Sequence, residues 1–174
     1  DEGLLDRSRR IGHRFVELQK PDGSFPTHVS RDGRPCDEPP LAAQSGMASV
    51  FLCELHEETK ESSFLQSAER ACDFFMDKII PDSRYHDFET FFSCSEKPFD
   101  FYDHRTGQHA QNTLALSWIA DTLLRVYALS GKRRHLDSGL QCLDRLSLHQ
   151  QVWNPSFFKL YAFGGFGVMN TDGE

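Results

Sequence analysis

The sequence predicts an all-α fold built from paired helices. Apolar residues recur at helical spacing in five segments, and these segments alternate between amphipathic and almost wholly apolar. Two pairs of segments also repeat each other. The chain has 174 residues, of which 39% are hydrophobic, 26% are charged and 15 are phenylalanine. A chain of this length and composition can bury one aromatic-rich core, so we expect a single domain over residues 1–174.

The first, third and fifth predicted helices are amphipathic, and they span about residues 4–20, 63–80 and 134–149. Ser63 and Gln66 have the spacing of a capping box at the start of the third helix. Charged residues fill the face opposite each apolar stripe, so one side of each helix should meet water. The stripes are Leu4, Ile11, Phe15 and Leu18; Leu65, Ala68, Cys72, Phe75 and Ile79; and Leu136, Leu140, Leu143 and Leu146.

The second and fourth predicted helices, at about residues 40–57 and 109–130, are nearly free of charge in their N-terminal halves. Pro40 suits the first turn of a helix, and Gly131 is a typical stop after the last turn. A helix without a charged face is usually buried. We therefore expect these two helices to be much more buried than the other three.

An internal repeat of about 70 residues relates the second and third helices to the fourth and fifth. This period is too long for a tetratricopeptide or ankyrin array, and long connections account for the difference. The matching positions are Ala43 and Ala110, Gln44 and Gln111, Met47 and Leu114, Phe51 and Trp118, Leu65 and Leu136, Ser67 and Ser138, and Asp73 and Asp144.

Three long connections are predicted at residues 21–39, 81–108 and 150–174. In an up-down arrangement of helices, all three lie on one rim, beside the N-terminal ends of the two buried helices. Long ordered loops that gather on one rim are where such a fold would carry a functional site.

The turn after the first helix resembles a motif of a known superfamily. Residues 15–25 read FVELQKPDGSF, in which Gln19, Gly23 and Phe25 are similar to the "Q-x3-G-x-W" turn of the α/α-toroid proteins, with phenylalanine in place of tryptophan. That superfamily includes six-hairpin glycosidases, polysaccharide lyases, and terpenoid cyclases with their prenyltransferase relatives. The resemblance implies an α/α toroid, a barrel of helical hairpins with long rim loops.

Five helices make two and a half hairpins, whereas complete toroids of this kind have about six. The resemblance therefore implies a partial toroid, which either the remainder of a longer chain or self-association with another copy would complete. The final residues, 164–174, form a glycine-rich loop with no helix after them. An open ring would leave apolar strips exposed along the flanks of its buried helices.

The predicted rim interleaves carboxylates and histidines with aromatic residues, which is the mixture that sugar-processing sites use. Aromatic faces stack on sugar rings, while paired carboxyls act as acid and base. The alternative is that these carboxylates cap helices or remain solvated. The candidate catalytic residues are Asp87, Glu89, Asp103, His104, Asp172 and Glu174, and the aromatic and histidine candidates for substrate binding are His86, Tyr102 and Trp153.

Further binding candidates lie where the apolar helices should begin. His109, Gln111 and Asn112 would open the fourth helix, with Thr106 as its cap, and Gln44 occupies the matching place on the second. Free N–H groups at a helix N-terminus attract anions, so this position suits the carboxylate of a uronic acid. The alternative is that the two glutamines hydrogen-bond the adjacent loops.

Several functions are disfavoured. A net charge of -7 has the wrong sign for a nucleic-acid partner, and the basic cluster at residues 132–134 is interpreted as a solvated helix start. No apolar run is long enough to span a membrane. No phosphate loop, dinucleotide fingerprint or Gly-x-Ser-x-Gly nucleophile is present, and no histidine and carboxylate spacing predicts a metal, so no cofactor is expected.

The preferred function is therefore a carbohydrate-active enzyme, either a glycoside hydrolase or a polysaccharide lyase, that acts on an acidic or complex glycan. His86, Tyr102 or His104 would serve as the base of a lyase. The alternatives are a relative of terpenoid cyclases and prenyltransferases, and a non-catalytic helical interaction scaffold. The chain has five cysteines without a C-x-x-C pair, which favours the cytoplasm, with the periplasm or a secreted location as alternatives.

Overall fold

The computed structural model of the chain describes residues 2–38, 43–86, 101–157 and 159–169. It is mostly helical, as the sequence predicts. The described α-helices are α1 (Glu2–Leu18), α2 (Ser45–Thr59), α3 (Ser62–Phe74), α4 (Thr113–Ser130) and α5 (Arg133–Ser147). A π-helical turn, Phe75–Ile79, continues α3. Two short antiparallel hairpins pair β1 (His28–Val29) with β2 (Pro35–Cys36), and β3 (Tyr102–Asp103) with β4 (Gln108–His109).

The helices pack in an order that follows the chain. α2 and α4 pack against each other, and α3 packs on both of them, while α1 contacts α2 and α3, and α5 contacts α4. Gly46 brings α2 close to the backbone of α4, because a Cβ at this position would lie 2.9 Å from the Trp118 carbonyl carbon. The Thr122 hydroxyl then donates a hydrogen bond to the Gly46 carbonyl oxygen.

α3 is more buried than the sequence predicts. Its residues Phe64, Ala68, Ala71 and Cys72 are fully buried, so α3 is as much part of the core as α2 and α4. The reason is that α3 packs on two neighbours, α2 and α4, which together cover more of its surface than a single partner could. α3 is amphipathic as predicted, with Gln66 and Arg70 exposed, but the expectation that α2 and α4 are much more buried than the other three helices is wrong for α3.

Helix starts also differ from the predicted ones. α2 begins at Ser45, because Ala43 and Gln44 form a turn, while Pro40 lies outside the described residues. α3 begins at Ser62, after an N-cap position, Glu61, that makes no side-chain cap bond, so the predicted capping box is absent. Ala43 and Gln44 instead bond the neighbouring connections, through the Ala43 amide to the His86 carbonyl and the Gln44 side chain to the Thr27 carbonyl, and a periodic pattern does not record such contacts.

The turn after α1 ties the first helix to α3. The Gln19 amide nitrogen donates to the carbonyl oxygens of Gly23 and Ser67, at 2.8 Å each, and its oxygen accepts from the Ser67 hydroxyl at 2.7 Å. Gly23 has a positive φ of 92° and lies directly against the Arg70 carbonyl. Phe25 is buried in the core. Each residue of the motif therefore has a packing or bonding role.

Among the described residues, no helix is both long and apolar enough to cross a membrane. Cys53, Cys72 and Cys142 are buried on α2, α3 and α5, and burial raises the pKa of the Cys53 thiol to about 12. Cys36 is a free cysteine in β2, and Cys94 lies outside the described residues.

Candidate functional site

A polar cleft lies between the β3–β4 hairpin, the last turn of α5 and the segment that follows α5. It consists of two adjoining hollows of about 460 and 420 Å³, which share Gln108, Gln111 and Arg145 as lining residues. Tyr102, His109 and Asp82 line one hollow, whereas His149, Gln150, Gln151 and Trp153 line the other.

The long connections position this cleft at the start of α4. The Asn112 amide donates to the Tyr85 carbonyl at 2.7 Å, and the Thr113 amide donates to the Val168 carbonyl at 2.9 Å. The Asn112 side chain then accepts from the Ala115 amide at 3.0 Å and caps the helix. The connection before α4 and the connection after α5 therefore meet at the start of α4. The connection that enters α2 joins them, because the Ala43 amide donates to the His86 carbonyl.

Arg145 supplies the positive charge of the cleft. It is half-buried, and its Nη1 donates to the Oε1 atom of Gln111, which is 2% exposed, at 3.4 Å. No carboxylate in the described part of the chain forms an ion pair with Arg145. A guanidinium that lines a hollow without an anionic partner is suited to bind a carboxylate or another planar anion.

His149 is the histidine nearest in sequence to this charge, on the turn that leaves α5. Burial lowers the pKa of its imidazole below the ordinary 6.5, and the charge of Arg145 lowers it further. The ring is consequently neutral at pH 7 and can accept a proton. His149 and Arg145 thus combine a proton acceptor and a cation in one cleft.

Exposed aromatic rings border both hollows. The Tyr102 ring lies 5.0 Å, centroid to centroid, from each of the rings of His104 and His109. Trp153 is 59% exposed on the other side of the cleft. Flat rings beside amide side chains form the kind of surface on which sugar rings stack.

The structure places the other predicted site residues away from this cleft. Asp103 lies in β3, where its Oδ1 accepts from the Arg105 amide at 2.8 Å, and this hydrogen bond lowers the pKa of the carboxyl. His104 is exposed beside Tyr102, and His86 is buried in the core. Gln44 donates to the Thr27 carbonyl at 2.6 Å, which agrees with the loop-bonding alternative for this residue. Four candidates, Asp87, Glu89, Asp172 and Glu174, lie outside the described residues.

The prediction that His109 opens the fourth helix is wrong. His109 lies in β4, opposite Tyr102, and the cap of α4 is Asn112 and not Thr106. Of the residues assigned to the fourth helix, His109 belongs instead to a short hairpin, and the helix begins at Thr113. The hairpin carries Tyr102 and His109 to the cleft, whereas Asn112 acts as a helix cap.

Sequence reasoning missed Arg145, His149 and Asp82. A signal for Arg145 was present, since the repeat that aligns Asp73 with Asp144 places Arg145 opposite Phe74, which is buried. An arginine in one copy of a repeat where the other copy has a core phenylalanine indicates a local difference in surroundings. His149 and Asp82 carry no such signal.

A third hollow, which is separate from the polar cleft and is apolar, lies between α1 and α2. This apolar groove has a volume of about 550 Å³ and is lined by Ile11, Phe15, Phe25, Met47 and Phe51, with Gln44 at its margin. Gln44 is the repeat equivalent of Gln111, so equivalent ends of the two repeats open onto an apolar and a polar hollow.

Within the described ranges, no group of three or more His, Cys, Asp or Glu side chains is placed to hold a metal ion. Comparison with known proteins found no matching family model, curated protein or solved structure.

Proposed function

We propose that the chain is part of a carbohydrate-active enzyme that binds a uronate-containing glycan in the polar cleft. The observation that carries this proposal is the guanidinium of Arg145, which lines the cleft without a carboxylate partner among the described residues. Uronates offer a planar carboxylate that an arginine can bind with two parallel hydrogen bonds. Tyr102 and Trp153, whose rings are exposed at the cleft, can stack on neighbouring sugar rings.

The chemistry that these residues favour is β-elimination. Arg145 would stabilise the negative charge that develops on the uronate carboxyl group when the proton on C5 is removed. The neutral imidazole of His149 would take that proton, a C4–C5 double bond would form, and the C4–oxygen bond would break. The Tyr102 hydroxyl would then give its proton to the departing oxygen.

Hydrolysis is the less favoured reaction at this site. A hydrolytic pair needs two carboxyl groups roughly 5 to 10 Å apart. Asp82 is the sole acidic side chain among the described residues that line the cleft. One carboxyl group cannot serve as both acid and nucleophile or base.

The experiment is an assay of oligouronides for the unsaturated product, whose new double bond is conjugated to the carboxylate and absorbs ultraviolet light. We expect His149→Ala to abolish elimination while binding persists, and Arg145→Leu to weaken binding as well. Gln141→Ala, an exposed change on α5 at a residue that does not line the cleft, is the matched control. Hydrolysis without an unsaturated product would contradict the elimination, and no binding of uronates would contradict the proposal.

A relative of terpenoid cyclases or prenyltransferases is the second candidate. The apolar groove favours it, because rings and a methionine line a hollow large enough for an isoprenoid chain. Binding of an isoprenoid analogue in the groove, lost in Phe51→Asp, together with no uronate binding, would favour this candidate. If neither ligand binds, the helical scaffold becomes the better account.

For the fold, we propose a partial α/α toroid. The packing of α2 against α4, with α3 on both, agrees with two inner helices and a shared outer helix. The bonds of Gln19 and the close approach of Gly23 give the "Q-x3-G-x-W"-like turn a role in joining adjacent outer helices. Solving the structure of a longer natural chain, with further hairpins continuing the same curve, would test it.

A further inference from the structure

The first and last described helices, α1 and α5, each carry an apolar edge that no described element covers. α1 exposes Leu4 and Ile11, which are 64% and 47% exposed, with Arg7 between them on the same face. α5 exposes Leu140 and Leu143, which are 45% and 40% exposed. We call these surfaces the α1 edge and the α5 edge.

On α3, the acidic residue that matches Asp144 of the α5 edge is paired with a basic residue of the same chain. On α3, Asp73 Oδ1 pairs with Nη2 of Arg134 at 2.6 Å, and Glu69 pairs with Lys132 at 2.7 Å. The basic start of α5 is therefore bound to the acidic flank of the preceding amphipathic helix. The repeat equivalent of Asp73 is Asp144, which is exposed and forms no ion pair with the described residues.

On the α1 edge, Arg7 carries a charge opposite to that of Asp144. Arg7 is exposed and forms no ion pair with any described carboxylate, whereas Arg9 and Arg14 on the same helix are paired with Glu61 and Glu17. One edge thus offers leucine and isoleucine beside an unpaired arginine. The other offers two leucines beside an unpaired aspartate.

We infer that the α5 edge of one copy of this chain docks on the α1 edge of a second copy. Leu140 and Leu143 would pack on Leu4 and Ile11, while Asp144 would pair with Arg7, as Asp73 pairs with Arg134 within one chain. Two different edges take part, so the contact is head-to-tail, and each copy keeps one free edge unless a ring closes. This inference does not depend on which ligand the cleft binds.

Sedimentation velocity over the micromolar range tests the inference. We expect the natural chain to associate as concentration rises, and Leu140→Asp or Arg7→Asp to weaken association at least tenfold. Gln66→Asp, an exposed change on α3, which belongs to neither edge, is the matched control and should associate normally. Circular dichroism and thermal melts establish that each variant is folded.

Mixing the two weakened variants separates a head-to-tail contact from a symmetric one. Leu140→Asp retains its α1 edge and Arg7→Asp retains its α5 edge, so an equimolar mixture should form one-to-one pairs. The double variant Arg7→Asp with Asp144→Arg should regain self-association, because the ion pair is restored in reverse. The inference is overturned if the natural chain stays monomeric, if Arg7→Asp associates normally, or if the mixture forms no pairs.

Discussion

The helical hairpins α2–α3 and α4–α5 are two copies of one repeat, yet they differ where their second helices end. In the first copy, Phe74 is buried, and Gln19 of the preceding turn holds Ser67 of α3. In the second copy, the position of Phe74 is taken by Arg145, which opens onto the polar cleft. The repeated pattern therefore sets where the helices lie, whereas the connections around each copy set whether the end of its second helix is a closed core or a polar cleft.

The largest loss of stability is expected from a substitution at Gly23, where the turn after α1 packs against α3. In Gly23→Ala, the new Cβ would collide with the Arg70 carbonyl oxygen, at a φ of +92° that residues with a side chain rarely adopt. We expect the free energy of unfolding in urea to fall by more than ~3 kcal/mol. Gly33→Ala is the matched control, because its φ is +83° but nothing lies within 4 Å, and it should cost about 1 kcal/mol. Equal losses in the two variants would refute the role of the close approach.

The next effect concerns the bonds that Gln19 makes to the same hairpin. Gln19→Leu removes hydrogen bonds to Gly23 and to both the carbonyl and the hydroxyl of Ser67. We expect a loss of about 2 to 3 kcal/mol in urea unfolding, because half-buried groups on α3 lose their partners. Gln66→Leu, an exposed change on α3, should cost less than about 0.5 kcal/mol. A similar cost for both variants would show that the turn does not hold α3.

A smaller, pH-dependent effect is expected at His135 in the second copy. The matching residue in the first copy is Phe64, and both side chains are fully buried. Burial and the charge of Arg134 lower the pKa of His135 below 6.5, Lys132 lowers it further, and Glu69 and Asp73 oppose this shift. The unfolded chain therefore binds more protons, so stability is complete above pH 6.5 and decreases as pH falls toward the folded pKa.

His135→Phe tests this effect by giving the second copy the residue of the first. The difference in unfolding free energy between the natural chain and this variant should change with pH below 6.5 and remain constant above it. A difference that is independent of pH across this range would show that His135 is not buried as a neutral ring.

Much of the helical framework could be predicted, because periodic apolar residues report directly on burial. Ala68 and Cys72 belong to the predicted stripe of the third helix and lie in the core. The start of α4 could not be predicted in the same way. His109 pairs with Tyr102 across a hairpin, and this pairing depends on backbone contacts that leave no periodic trace.

Some residues of the candidate site could be predicted from the sequence, and others could not. Tyr102, His109, Gln111 and Trp153 do line the polar cleft, and all four lie on the connections that precede α4 or follow α5. Arg145 was missed because it stands beside Leu146 of the predicted stripe, among the charged residues that the pattern assigns to the solvent-facing side of the helix. The β3–β4 hairpin and residues 148–153 enclose that position and make it part of a cleft.

The most direct measurement is calorimetric titration of the chain with an oligouronide and with its carboxyl-reduced, uncharged counterpart. The natural chain should bind the oligouronide at least tenfold more tightly, because a hydrogen-bonded charge pair contributes about 1.5 to 3 kcal/mol. Arg145→Leu should bind the two sugars alike, whereas Arg133→Leu, an exposed arginine at the other end of α5, should preserve the preference. Equal binding of both sugars by the natural chain, or an unchanged preference in Arg145→Leu, would contradict the account.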